Sequence, residues 1–235
     1  VSVHAEPEGG RLLVPTPEFT ITRAAHVAFA AAPTMLFSAQ ADDPSGLTIQ
    51  SIALSAQVMI DPASRGYDPE TRERLAELFG PPAAWSPSTS GLAWARVAAT
   101  VPGFVGSTVF GLEVPCTYDL EVAAAKYFYA LREGEVPLSF HFNGNVFYRS
   151  RPSDGDPGRP EQIQVAPIAW SSSARFRMPI ATWRAMIADH YPGGGWIRID
   201  HETLEALNRR RARRGLHDFD STVTELLEEA DGSDA

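Results

Sequence analysis

Residues 47–60, LTIQSIALSAQVMI, constrain the fold more than any other stretch of this chain. Leu47 and Ile49, then Ile52 and Leu54, then Ala56, Val58 and Ile60 stand near a two-residue spacing. A strand turns successive side chains to opposite faces, so this spacing builds one apolar face and one polar face. The phase slips between Ile49 and Ile52. A β-bulge would absorb that slip by inserting one residue. One half-buried strand needs partners, and the neighbouring sequence supplies them. FTITRAAHVAF and TMLFSAQADD precede it, the second ending in a turn at residues 42–46. LAWARVAATVPGF and STVFGLEVP follow, then PLSFHFNGNVFYRS, with IQVAPIAW as a last strand.

Helices interrupt and then close the pattern. PETRERLAELFG reads as a short helix begun at Asp68 or Pro69 and stopped by Gly80, with Leu75, Leu78 and Phe79 on one side. CTYDLEVAAAKYFYALREG reads as a strand over TYDLEV, then a short helix ending near Gly134. After Gln162 the period changes. PIATWRAMIADHY is a helix with Ile180, Trp183, Met186 or Ile187, and His190 on one broad face, and PGGG breaks it. HETLEALNRRRARRG is a second helix, started from Asp200, with Leu204 and Leu207 inward and Gly215 at its end. STVTELLEE is a third, capped by Asp220 or Ser221. The expected class is α+β: an antiparallel β-sandwich-like body with a small C-terminal helical segment. The expected organisation is a flexible arm over 1–10, a β-rich domain over 11–170, a helical segment over 171–230 packed on the sheet, and an acidic tail over 231–235.

Charge narrows the function classes. The 235 residues carry a formal net charge of −9, which argues against general nucleic-acid binding. No apolar run is long enough to span a bilayer as a helix. The single cysteine, Cys116, permits no internal disulfide, and this points to a cytoplasmic protein.

No dinucleotide, P-loop, zinc-protease or nucleophile-elbow pattern is present, so no catalytic residue and no cofactor is expected. The PGGGW run follows a helix rather than a strand and reads as a turn. The six histidines form no close ligand pair. His190, Asp200, His201 and Glu202 are the nearest combination that folding could gather around a metal, but capping of a helix by Asp200 is the simpler reading, so no metal is expected. Cys116 needs a base nearby to act as a nucleophile and reads better as a small buried hydrophobe. Asp119 and Glu121 share a face of the expected strand and read as solvent-facing partners for basic residues.

Two features point to binding. Arg209, Arg210, Arg211, Arg213 and Arg214 crowd one helix, where Arg210 stacks on Arg214 and Arg209 on Arg213. The acidic residues from Glu228 are near enough in sequence to neutralise them. A salt-laced helix, or a docking surface for an acidic protein, therefore outranks nucleic acid. Trp170, Phe176, Trp183, Tyr191 and Trp196 crowd another region, as intrachain glue or as interface anchors. Arg209, Arg210, Arg213, Arg214, Trp183 and Trp196 are the candidate protein-binding residues.

PLSFHFNGNVFY, residues 137–148, offers a polar face. Leu138, Phe140 and Phe142 alternate with Ser139, His141 and Asn143, so the two sets lie on opposite faces. Asn143–Gly144 either forms a hairpin turn or Gly144 is a bulge inside one long strand.

YDLEVAAAKYFYALREGEVPLSFHFNGNVFY, IAWSSSARFRMPIATWRAMIADHYPGGGW and LEALNRRRARRGL resemble an actinobacterial-type family of unknown function similar to DUF6084, over about residues 12–227. Members of that family resemble accessory genes sometimes found near [NiFe]-hydrogenase operons. The resemblance implies a role in assembly of, or association with, a larger hydrogenase-type complex, and it defines no catalytic residue. One cysteine makes no iron–sulfur ligand set, so such a link would be as a partner or chaperone. The leading expectation is a non-catalytic protein-binding module. A homo-oligomeric structural protein and an enzyme with a non-standard site, at His190/Asp200/His201 or His141, are the alternatives.

Overall fold

The structure, a computed structural model, describes residues 13–82, 85, 91–117, 119, 122–150, 162–194 and 197–233. The expected arm at 1–10, Trp196, and half of the TYDLEV segment (Tyr118, Leu120 and Glu121) lie outside these residues. The chain forms two compact units, Val1–Gly195 and Trp196–Ala235.

The first unit is built from two antiparallel sheets. One has three strands, β1 (Glu18–His26), β2 (Thr34–Asp42) and β5 (Ser107–Pro115), in the order β1-β2-β5. The other has β4 (Leu92–Phe104), β3 (Ile49–Ile60) and β6 (Glu135–Arg149) side by side. β7 (Ile163–Pro167) and β8 (Ser173–Pro179) share the outer edge of β6. The mixed α+β class is thus as expected. β2 shows why these residues choose strand: Met35, Phe37, Ala39 and Ala41 are fully buried and alternate with half-exposed neighbours. In β3 the buried set is Ile49, Ile52, Leu54, Ala56, Val58 and Ile60. Its register against β6 slips between Ile49 and Ser51, where the sequence loses phase.

The inner faces of both sheets line one apolar core. Phe37 of β2 meets Phe140 of β6 at 5.1 Å and Trp94 of β4 at 5.9 Å between ring centroids. Phe19 of β1 lies 4.7 Å from Phe142 of β6. Each such ring buried from water stabilises the fold by about 1.5–3 kcal/mol. The helices of this unit add side chains to the same core. PETRERLAELFG forms two short pieces, α1 (Pro69–Arg74) and α2 (Ala76–Phe79), broken at the buried Leu75. Asp68 caps the first, accepting from the Thr71 N–H at 2.8 Å. α3 (Ala123–Ala130) buries Tyr127 and Phe128. α4 (Ile180–His190) buries Ile180, Trp183, Met186 and Ile187.

One strand falls outside the sequence reading. Residues 173–179 form β8, because Ala174, Phe176 and Met178 face inward while Ser173, Arg175 and Arg177 face out. The alternation is legible in SARFRMP once its arginines are read as an outer face.

The second unit is a helical hairpin, α5 (His201–Arg214) and α6 (Phe219–Ser233). Asp200 caps α5, accepting from the Thr203 N–H at 2.8 Å, and Gly215 ends it at φ 66°. Asp218, rather than Asp220 or Ser221, caps α6. Its carboxylate accepts from the Ser221 N–H at 2.8 Å, and the helix accordingly starts earlier and runs longer than STVTELLEE.

Candidate functional site

β6 is one continuous strand from Glu135 to Arg149, so Asn143–Gly144 is not a hairpin turn. Pairing with β3 runs through Gly144 without a break, so it is not a bulge on that side either. Gly144 instead has φ 142°, and a Cβ there would stand 2.0 Å from the Ala53 carbonyl oxygen. Only glycine allows that approach. The position also divides the other edge of β6. β8 pairs with residues 135–141 and β7 with 145–149. The connecting loop is stitched across the gap by Phe142 N–H to Ser172 O at 2.9 Å and Ile168 N–H to Gly144 O at 3.0 Å.

This arrangement sets the outward face of the five-stranded sheet. Register places Arg175 opposite Ser139, Arg177 opposite Pro137 and Ser173 opposite His141. On the other side of β6, Gln57 stands opposite His141, and Arg96 of β4 opposite Gln57. Ser139, His141, Ser173, Arg175 and Arg177 line a cleft of about 600 Å³, closed at one end by Asp61, Ala63 and Ser64. That end is held firmly. The Asp61 N–H donates to Pro137 O at 2.9 Å, the Ser64 N–H to Asp61 O at 3.0 Å, and Arg177 Nη2 to Ser64 O at 3.2 Å.

Of the expected polar face, Ser139 is buried at the cleft floor and His141 is exposed on its wall. Asn143 is exposed one row further along, opposite Ser55. The Ser139 hydroxyl donates to Asp61 Oδ1 at 3.2 Å. A Ser-His-Asp relay places an imidazole between hydroxyl and carboxylate. Here the hydroxyl meets the carboxylate directly, so Ser139, His141 and Asp61 share a cleft without forming that relay. The Arg175 guanidinium lines the cleft with no hydrogen-bond or ion-pair partner among the described residues.

The other candidates fall elsewhere. Trp183, read as a binding residue, is 2% exposed and packs 5.4 Å from Phe128. It belongs to the core because its helix turns that side inward with Ile180 and Ile187. Trp170 is 95% exposed, so the aromatic crowd divides between core and surface. Arg210 and Arg214 are turned toward α6. Arg210 reaches Glu229 at 2.7 Å and Glu225 at 3.7 Å, and Arg214 reaches Glu229 at 2.8 Å and Glu225 at 3.3 Å. Hydrogen bonding from Arg210 and the two guanidinium charges hold the Glu229 carboxyl below its usual range. Arg209 and Arg213 are exposed.

Cys116 is packed against the core. Burial pushes its thiol up to about 12, so it stays protonated and unreactive near neutral pH. Burial likewise drives the Tyr127 hydroxyl far above its ordinary value. It stands 2.7 Å from the Tyr67 hydroxyl, which donates to Pro62 O at 2.7 Å. That chain of bonds ties α3 to the turn beside the cleft. His190 ends α4 in the first unit, while Asp200, His201 and Glu202 begin α5 in the second. Among the described residues no group of three or more His, Cys, Asp or Glu could hold a metal ion. No helix among them is long and apolar enough to cross a membrane.

The model of a family of unknown function, DUF6084, matches residues 14–235. The chain belongs to that family. No curated protein matches it. Solved structures share only distant likeness. The CARDB domain of a Pyrococcus furiosus protein, determined in complex with di-metal ions, is 8% identical. That match covers 75% of this chain and 97% of the other, at a TM-score of 0.28. A putative late embryogenesis abundant protein is 14% identical over 71% of this chain and 73% of its own, at 0.27. The β-glucosidase 3B of Thermotoga neapolitana, solved with α-D-glucose, is 13% identical over 68% of this chain and 17% of its own, at 0.23. Likeness at this level carries no functional argument.

Proposed function

We propose that this DUF6084 chain is a non-catalytic accessory module that binds another protein through the outward face of its five-stranded sheet. The observation that carries the reading is the cleft beside β8. Arg175, Arg177 and His141 present hydrogen-bond donors from paired strands, on a floor whose own hydroxyl and carboxylate are already joined. The sheet fixes the backbone from which these side chains project, which lowers the ordering cost of binding. The larger complex such a module would serve is of the hydrogenase type implied by the family resemblance.

A photo-crosslinking amino acid at position 141, with a control at the exposed position 72 on α1, tests this in native cells. One partner of defined mass should be captured from position 141 and not from 72, and capture should fail in Arg175→Glu/Arg177→Glu. Equal capture from both positions, or none, overturns the reading.

A second reading, a homo-oligomer joined at a sheet edge, is supported by β7. This strand pairs only with β6 among the described residues, and Ile163 and Val165 are 64% and 55% exposed. An open apolar edge strand can pair with another chain. Light scattering showing a monomer across a wide concentration range excludes it.

A further inference from the structure

We propose that the occupant of the cleft is an extended acidic peptide segment of the partner, with carboxylates at alternate residues held by Arg175 and Arg177. This rests on the binding reading above and names the chemistry of its partner.

The geometry comes from the strand. Arg175 and Arg177 leave β8 on the same face, two residues apart, a separation of about 6.6–6.8 Å along the strand. An extended peptide repeats its side chains at the same interval, so acidic residues two apart fall opposite both guanidiniums in register. Each guanidinium offers a planar fork that matches a carboxylate's two oxygens. Arg175 has no competing partner among the described residues, and Arg177 uses one nitrogen on Ser64 O. Ser173 and His141 supply polar contacts in the next row, and Arg96 stands further along it beyond Gln57. A single phosphate would leave most of a 600 Å³ cleft unfilled.

Asp61 works against binding. It is the one carboxylate among the described residues lining the cleft; its backbone N–H meets Pro137 O and its side chain reaches Ser139. Its charge, held at the floor by the Ser139 hydroxyl, repels incoming carboxylates and so lowers the affinity of the bound segment. The net charge of −9 acts in the same direction, disfavouring acidic partners over the surface at large. An acidic peptide is thereby confined to the face where the arginines stand.

The probe is a capped, fluorescent heptapeptide alternating Asp and Thr, compared with its Asn-for-Asp analogue and with inorganic phosphate on the full chain. The Asp peptide should bind and the Asn analogue should not. Binding should weaken about tenfold or more in Arg175→Gln/Arg177→Gln and less in Arg96→Gln, as expected for loss of charge-assisted forks. Asp61→Asn should tighten it a few-fold by removing the repulsion while keeping an acceptor for Ser139. Arg209→Gln/Arg213→Gln, which removes exposed positive charge from α5, should leave it unchanged. The inference is overturned if phosphate displaces the peptide at equal concentration, if the α5 variant weakens binding as much as the β8 variant, or if the Asn analogue binds equally. Crosslinking to a partner from position 141 without any acidic-peptide binding would overturn this inference and leave the binding module standing.

Discussion

The sheet unit and the helical hairpin are held together by different physics. Among the described residues the first buries thirty-nine apolar side chains: Phe19, Phe37, Phe140 and Phe142 interlock between sheets, and Trp183 packs on Phe128. The second has no buried apolar residue among those described; its one buried side chain is Thr222, whose hydroxyl donates to Asp218 O at 2.8 Å. Its Leu207, Leu216 and Leu226 are only half-buried. What joins α5 to α6 is polar: the Arg210 and Arg214 pairs with Glu225 and Glu229, and Arg211 lying 4.6 Å over the Phe219 ring. Apolar burial is not weakened by charge screening or by carboxylate titration, whereas ion pairs and caps are sensitive to both. The two units should therefore fail under different conditions.

The largest effect should come from the core. Phe37→Ala removes a fully buried ring that touches Trp94, Phe140 and Phe176, and should destabilise the sheet unit by about 3–5 kcal/mol. Denaturant unfolding followed by tryptophan fluorescence measures it, and a loss below 1 kcal/mol, roughly the scale of an ordinary surface change, would contradict the packing described. Next comes Gly144→Ala, which combines a positive φ with a Cβ driven onto Ala53 O; a cost of about 1–3 kcal/mol is expected. Both substitutions should leave amide exchange in residues 201–233 unchanged. Slower or faster exchange there would show that the two units do not fail separately.

The caps give the hairpin its own test. Backbone and side-chain bonds from Thr203 hold the Asp200 carboxyl below its ordinary 3.8, and side-chain and backbone bonds from Ser221 do the same for Asp218. Groups whose folded values are lowered stabilise the fold above the ordinary value, and that contribution is lost as pH falls through the folded one. Acidifying from neutral to below the carboxylate range should thus loosen α5 and α6. Asp218→Ala should reproduce the loosening of the first turn of α6 at neutral pH. Exchange that stays slow in residues 219–225 in that variant would remove the cap from the account.

Most of this was open to reading from the amino acids. Alternation located β2, β3 and the first half of β6, because a half-buried strand writes its two faces into sequence. The slip at Ile49–Ile52 appeared as a register shift against β6. Asp200 and Gly215 bounded α5 as expected of a cap and a left-handed stop. The cleft was half legible. Ser139 and His141 were placed on one face by their spacing, but Arg175 and Arg177 were not, since SARFRMP is short and charged at alternate positions. Its partner strand lies more than thirty residues away, and cross-strand register over that distance leaves no local trace. Trp183 shows the converse: an aromatic residue on an amphipathic helix has the same pattern whether its face meets a partner or its own core.

The smallest effect separates the units most cleanly. The arginine–glutamate pairs of the hairpin are partly open to water, with side-chain exposures from 23% for Arg210 to 53% for Arg214. Pairs of that kind contribute little individually and act as a network. Raising salt to about 1 M shortens the screening length to about 3 Å, which weakens attraction between charges at the 2.7–3.7 Å and longer separations found here. With a kosmotropic salt such as sodium sulfate, apolar burial is also strengthened slightly, so the sheet unit should hold or gain protection. Amide exchange read at residues 34–60 and 201–233 in low and high salt should move in opposite directions, with the hairpin alone exchanging faster. Parallel changes in the two segments would mean that the hairpin, like the sheets, is held chiefly by apolar contact.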